Sequence, residues 1–111
     1  MKGKNLGEFE EIVLLAIASL LDDAYSVSIT DRIADVTGRK TKLGMVHAVL
    51  NRLEEKGYIA SELGDPTRER GGRRKRFFQI SKSGKVALLQ AKAQRDKFWE
   101  TIPSIVFRDL Q

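Results

Sequence analysis

Apolar residues recur at helical spacing along the first part of the chain. Phe9, Ile12, Val13, Ala16, Ile17, Leu20 and Leu21 fall at i, i+3, i+4, i+7, i+8, i+11 and i+12, which is one wide apolar face on an α-helix. Asn5-Leu6-Gly7-Glu8 precedes it with capping-box spacing: the Asn5 side chain can accept a backbone N–H three residues on, and Glu8 can reach back. Asp22-Asp23 breaks the pattern. A second helix is predicted from about Ser26 to Thr37, with Ile29, Ile33 and Val36 on one face and Gly38 suited to a left-handed stop. A third is predicted from Thr41 to Lys56. Thr41 caps it, Gly57 ends it, and Val46, Val49, Leu50 and Leu53 point inward.

The period then shortens to two. Ile59, Ser61 and Leu63 alternate with Ala60 and Glu62, and Gly64-Asp65-Pro66 is a turn signal. Phe78 and Ile80 alternate with Phe77 and Gln79, so a second strand is expected after a long loop. A fourth helix is predicted from about Lys82 to Ile102, with Ser81 as its cap and Pro103 beyond its end. No internal repeat or low-complexity segment interrupts this order. The fold class is therefore mostly α with a small β-hairpin. Three helices followed by a hairpin is the order of a winged helix-turn-helix domain, expected over residues 1–81. Residues 82–111 form a C-terminal dimerisation helix and tail.

Charge adds a partner to this picture. The net charge is +5 over 111 residues. Residues 68–76 carry Arg68, Arg70, Arg73, Arg74, Lys75 and Arg76 against the single acid Glu69, and the rest of the chain sums to zero. Like charges packed this closely repel one another, so folding alone does not favour the arrangement. A basic loop can simply be solvated. At the tip and base of a wing, after Gly71-Gly72, it can instead neutralise phosphates or enter a minor groove. Double-stranded DNA is the expected partner of the wing at 64–76.

Other classes recede. There is no cysteine, so disulfides and thiolate metal sites are excluded, and the single histidine, His47, has no fellow ligand. No nucleophile–base–acid set or phosphate-binding glycine loop after a strand is visible, so neither an enzyme nor a cofactor is expected. No apolar run approaches the roughly 18–20 residues of a membrane span. The opening MKGKNLGEFEE turns acidic where an export signal turns apolar, and a cytoplasmic protein is expected. A winged helix serving as a protein–protein module is the rival reading, and predicts no salt-dependent DNA binding. A double-stranded RNA binder would prefer shape to sequence.

In a helix-turn-helix the third helix enters the major groove. Its outward face is predicted to hold Thr41, Gly44, Met45, Ala48, Asn51 and Arg52, with Lys42 beside Thr41 and His47 on the flank. Small Gly44 and Ala48 let the backbone sit deep. Asn51 can pair with adenine and Arg52 with guanine or a phosphate. Each has a plainer alternative: Asn51 a solvated helix residue, Arg52 the partner of a nearby acid, Met45 packing against the second helix. On the fourth helix Val86, Leu89 and Ala93 are expected to cover the core. Leu88, Ala91, Phe98, Trp99 and Ile102 lie mostly on another side and need a second copy, as does the apolar tail Ile105, Val106, Phe107 and Leu110. Trp99 is an interface anchor or, alternatively, a platform for a planar effector.

The chain resembles the PadR family of winged helix regulators, related to phenolic-acid repressors. The resemblance is carried by LGEFEEIVLLAIASL at 6–20, AYSVSI at 24–29, GMVHAVLNRLEEKGYI at 44–59 and ERGGRRKRFFQISKSG at 69–84. His47 departs from it, standing where the family usually has tyrosine, though imidazole can still donate a hydrogen bond. The resemblance implies a dimeric transcriptional regulator, usually a repressor, whose fourth helix pairs with its partner's. In some members a small aromatic effector binds near the dimer interface.

Overall fold

Three carboxylates, Glu8, Glu10 and Glu11, open the first helix, where negative charge meets the positive end of the helix dipole. The computed structural model describes residues 5–66 and 74–111. In chain order it has α1 (Glu8–Leu20), a single 3₁₀ turn (Leu21–Asp23), α2 (Ser26–Thr37), α3 (Leu43–Glu55), β1 (Ile59–Pro66), β2 (Arg74–Ile80), α4 (Lys82–Thr101) and a 3₁₀ segment (Ser104–Leu110). The N-cap of α1 is Gly7 rather than Asn5. The Gly7 N–H donates to Glu10 Oε1 at 2.8 Å, so Glu10, not Glu8, performs the reach-back. Glu10 is also held by Lys56 from just beyond α3, so the capping carboxylate is itself fixed by a long-range pair.

The core forms where the three helices and the hairpin meet. Val13, Leu14, Ala16 and Ile17 of α1 pack with Ile29 and Ile33 of α2 and Val46, Val49, Leu50 and Leu53 of α3. Ala24, Tyr58, Ile59 and Phe78 close the cluster. Leu14 is fully buried although it lies outside the predicted periodic set. Two residues of the predicted inward faces turn outward. Leu21 is 75% exposed because the chain leaves the helix there with φ 54°. Val36 is 74% exposed in the last turn of α2, which no element among the described residues covers at that position. Gly38 does take the left-handed stop, with φ 75° and its N–H donating to Ala34 O at 2.8 Å. The cap of α3 is Lys42 rather than Thr41.

The hairpin pairs antiparallel, with Ile59 opposite Ile80, Ser61 opposite Phe78 and Leu63 opposite Arg76. Gly64-Asp65-Pro66 is not a turn: β1 runs through it, and the register shifts between Leu63 and Pro66. Proline is tolerated there, at a bulge near a strand end. Gly64 is explained by packing, since a Cβ on it would lie 2.6 Å from Phe77 Cε2. The predicted tip, with Arg68, Arg70, Gly71, Gly72 and Arg73, lies outside the described residues. The segment before α2 acts as a further edge, because the Phe78 N–H donates to Ala24 O at 2.8 Å.

Ser81 caps α4 as predicted, its hydroxyl accepting the Gly84 N–H at 3.1 Å. It also donates to Gly57 O at 2.6 Å. Gly84 sits against the residue that leads into β1, and a Cβ there would lie 2.2 Å from Tyr58 O. This close approach sets the rotation of α4. Positions 84, 87, 88, 91 and 95 form one stripe. Ala87 and Leu88 pack on the core, and Arg95 Nη2 reaches Glu11 Oε1 at 2.9 Å. Val86, Leu89 and Ala93, expected to cover the core, are exposed instead. Leu88 accordingly lies on the side of its own domain.

Candidate nucleic-acid interface

The outer face of α3 is mostly polar or small, with Met45 as a large apolar exception. Gly44, Met45, His47, Ala48, Asn51 and Arg52 are all exposed, as the 100° phase placed them. Gly44 has open space beyond its Cα, and Ala48 adds only a methyl, so a groove wall can approach the backbone here. The entry to the helix is held by main chain: Lys42 O accepts from the N–H groups of Met45 and Val46 at 3.0 and 3.2 Å. Thr41, not needed as a cap, is half-buried, and its Oγ1 is buried with no hydrogen-bond partner among the described residues.

Arg52 sits at the edge of this face and leans back toward α1. Its Nε lies 3.5 Å from Glu10 Oε2, with the side chain 54% exposed. The same carboxylate takes the Lys56 ammonium at 2.8 Å. The acid that the plainer alternative required is therefore Glu10. Arg52 is loosely held, since its contact is long and Lys56 already neutralises the carboxylate. Burial pushes the Glu10 carboxyl up. The Lys56 hydrogen bond, the Gly7 N–H, the Lys56 charge and Arg52 together outweigh it and hold the group below its ordinary value.

Opposite α3 stands β2. Arg74 and Arg76 are exposed and Lys75 is half-buried. These three lie in the strand rather than in a loop, which fixes their spacing. Arg74 Nε donates to Gly64 O at 2.6 Å. Arg76 Nη1 donates to Ser61 Oγ at 3.1 Å, and Ser61 Oγ donates to Glu54 Oε2 at 2.8 Å. Each guanidinium carries five N–H donors, so these contacts orient it without exhausting it. Between α3, β2 and the start of α2 lies an open cleft of about 490 Å³, lined by His47, Asn51, Arg74, Lys75, Arg76 and Tyr25 among others. Of the predicted groove-facing residues, His47 and Asn51 thus border one space with the β2 cations Arg74, Lys75 and Arg76.

Tyr25 was not singled out from the sequence. It caps α2, and its ring lies beneath the Lys75 ammonium at 4.1 Å. The available signal was an aromatic immediately before a helix start, inside AYSVSI. The predicted C-terminal residues are brought together only in part. Leu88 and Ala91 lie on the α4 stripe that faces α1, and Ile102 is the half-buried C-cap. Phe98 and Trp99 are 72% and 63% exposed. Trp99 stacks on Phe107 of the tail, with centroids 5.8 Å apart and planes 24° apart. Ile105, Val106 and Leu110 remain more than half exposed. No helix among the described residues is long and apolar enough to cross a membrane.

The family model for the transcriptional regulator PadR-like family matches residues 14–90. No curated protein matches the chain. Solved structures share its fold. A PadR family transcriptional regulator from Eggerthella lenta is 21% identical with TM-score 0.68, over 86% of this chain and 81% of that one. A PadR-like transcription factor from Bacteroides fragilis is 20% identical with TM-score 0.69, over 84% of each chain. A PadR family regulator from Clostridium difficile is 22% identical with TM-score 0.64, over 92% of this chain and 97% of that one.

Proposed function

The chain belongs to the PadR-like family of transcriptional regulators, and from that premise we propose that it is a homodimeric, sequence-specific DNA-binding repressor. One observation carries the reading: His47 and Asn51 on the exposed face of α3 border the same cleft as the β2 arginines Arg74 and Arg76. In this reading Asn51 reads a base edge, Gly44 and Ala48 admit the groove wall, and Thr41, Lys42, Met45 and His47 line the helix entry. Arg52 contacts a base or phosphate when it leaves Glu10. Arg74 and Arg76, with Arg68, Arg70 and Arg73 beyond them, neutralise phosphates. Phosphate contacts position the protein and base contacts specify it. Residues 1–81 are the DNA-binding unit and residues 82–111 the dimerisation arm. Regulation of this kind needs binding rather than bond chemistry, and it belongs in the cytoplasm.

Exposure supports the dimer. Phe98, Trp99, Ile105, Val106 and Leu110 stay more than half exposed, and aromatic side chains bury roughly 150–250 Å² each when they find cover. Two-fold symmetry then sets two α3 helices on one face of the duplex, and the operator is an inverted repeat with half-sites about one helical turn apart or a multiple of it. Trp99 is read as an interface anchor, because Phe107 already covers one face of its ring. A planar aromatic effector would have to take the other face.

A gel-shift series with the protein's own upstream DNA and a random duplex tests the proposal. Preferential, salt-sensitive binding to the upstream duplex is expected. No binding to any duplex at low salt would leave the protein–protein module as the better reading. Equal binding to all duplexes would remove sequence recognition from it.

A further inference from the structure

We propose that Tyr25 is the positioning residue for the wing, and that its ring withdraws Lys75 from the set of cations that meet phosphate. The inference rests on the DNA-binding reading above. It begins from the two faces of β2. Successive strand residues point to opposite sides, so Lys75 and Phe77 share one face and Arg74, Arg76 and Phe78 the other. Phe78 is buried at the inner end of its face, while Arg74 and Arg76 are exposed at the outer end.

The Lys75–Phe77 face closes on Tyr25. The Phe77 ring meets the Tyr25 ring edge-on, with centroids 5.6 Å apart and planes at 73°. The Lys75 Nζ lies 4.1 Å from the Tyr25 centroid, a cation held over the negative face of an aromatic ring. Phe77 in turn packs against Gly64 of β1, where a Cβ would lie 2.6 Å from its ring. One aromatic column therefore runs from the start of α2 through β2 to β1.

Tyr25 can bear on the wing because its own backbone is fixed. Its N–H donates to Ser28 Oγ at 2.9 Å. Its neighbour Ala24, fully buried, accepts the Phe78 N–H at 2.8 Å. The start of α2 and the middle of β2 are thus joined by main chain and by rings, and this joint fixes how the wing stands relative to α3. The Arg74 and Arg76 guanidinia keep unused donors beside their contacts to Gly64 and Ser61. The Lys75 charge is instead already seated on a ring.

Salt titrations on a random-sequence duplex test the withdrawal of Lys75. For Arg76→Ala the slope of log K against log salt is expected to flatten by roughly 0.9, the loss of one phosphate contact. For Lys75→Met, which keeps an apolar stem, the slope stays at the wild-type value. Tyr25→Leu is expected to weaken binding to the upstream duplex by about tenfold, and Tyr25→Phe, which keeps the ring, to restore it. In wild-type protein, NMR should show the Lys75 ε-methylene protons shifted upfield by the ring, with and without bound duplex. A Lys75→Met slope as flat as that of Arg76→Ala, or an upfield shift that vanishes on adding duplex, overturns the inference and leaves DNA binding intact. A wild-type protein that binds no duplex overturns both. Neither the lysine variant nor the wild-type spectrum depends on Tyr25→Leu folding.

Discussion

Lys56 Nζ lies 2.9 Å from Glu10 Oε1 and 2.8 Å from Oε2, joining the C-cap of α3 to the first turn of α1. The side chains are 17% and 8% exposed, so water replaces little of the pairing if it breaks. Lys56→Met should strand the carboxylate and cost about 1.5–3 kcal/mol, the range for hydrogen bonds to charged groups, in urea unfolding. Glu10→Gln combined with Lys56→Met should cost less than the two single losses added together, because the members of one pair couple. Additive losses would mean that the pair does not act as a unit.

The same carboxylate gives a pH dependence. The folded pKa of Glu10 lies below its ordinary 4.5. Such a group contributes stability that is complete above the unfolded value and is lost as pH falls through the folded one. Wild type should therefore exceed Glu10→Gln by a constant margin above about pH 5 and converge toward it below about pH 4.5. Unfolding curves collected from pH 3 to pH 7 check this, and a gap that stays constant to the acid end contradicts it.

Gly84 is a close-approach residue. A methyl there would stand 2.2 Å from Tyr58 O and 2.8 Å from Ile80 Cγ1. Gly84→Ala should destabilise the protein by roughly 1–3 kcal/mol, the usual range for overpacking, although alanine is the better helix former. Thermal unfolding reads this directly, and a stabilised variant would show that α4 can lift from Tyr58 and Ile80 without cost.

The dimer is a matter of mass. Light scattering at micromolar concentration should give twice the 12.5 kDa of one chain. Trp99→Ala should lower that mass toward one chain if Trp99 anchors the interface. A dimer that survives the change, but whose wild-type Trp fluorescence is quenched by planar aromatic compounds, would support the effector role instead. A monomer at that concentration would remove the interface and the inverted-repeat operator together.

Periodicity alone revealed the helices, the strand order and the inward face of α3, because those follow from a single repeat of apolar residues. It failed where a distant contact decides. Glu8 has the same capping spacing from Asn5 as Glu10 has from Gly7, and the carboxylate that caps α1 is the one held by Lys56 far along the chain. The rotation of α4 is set by Gly84 against Tyr58. Its apolar residues fall on several sides, so counting them pointed to Val86 and Leu89, not Ala87 and Leu88. Gly64-Asp65-Pro66 has turn composition, yet its glycine serves the Phe77 ring and its proline a bulge. In the candidate site, the outward α3 residues and the cations of β2 were legible from phase and charge. The grip of Tyr25 on Lys75 was not, since it joins a helix cap to a strand far along the chain.

If α3 reads bases while the wing holds phosphates, Asn51→Ala separates the two roles. Fluorescence anisotropy titrations should compare this variant with wild type on the upstream duplex and on a random duplex at one salt concentration. Asn51→Ala should lose about 1–3 kcal/mol on the upstream duplex and much less on the random one. Equal losses on both duplexes, or none on either, would contradict base reading by α3.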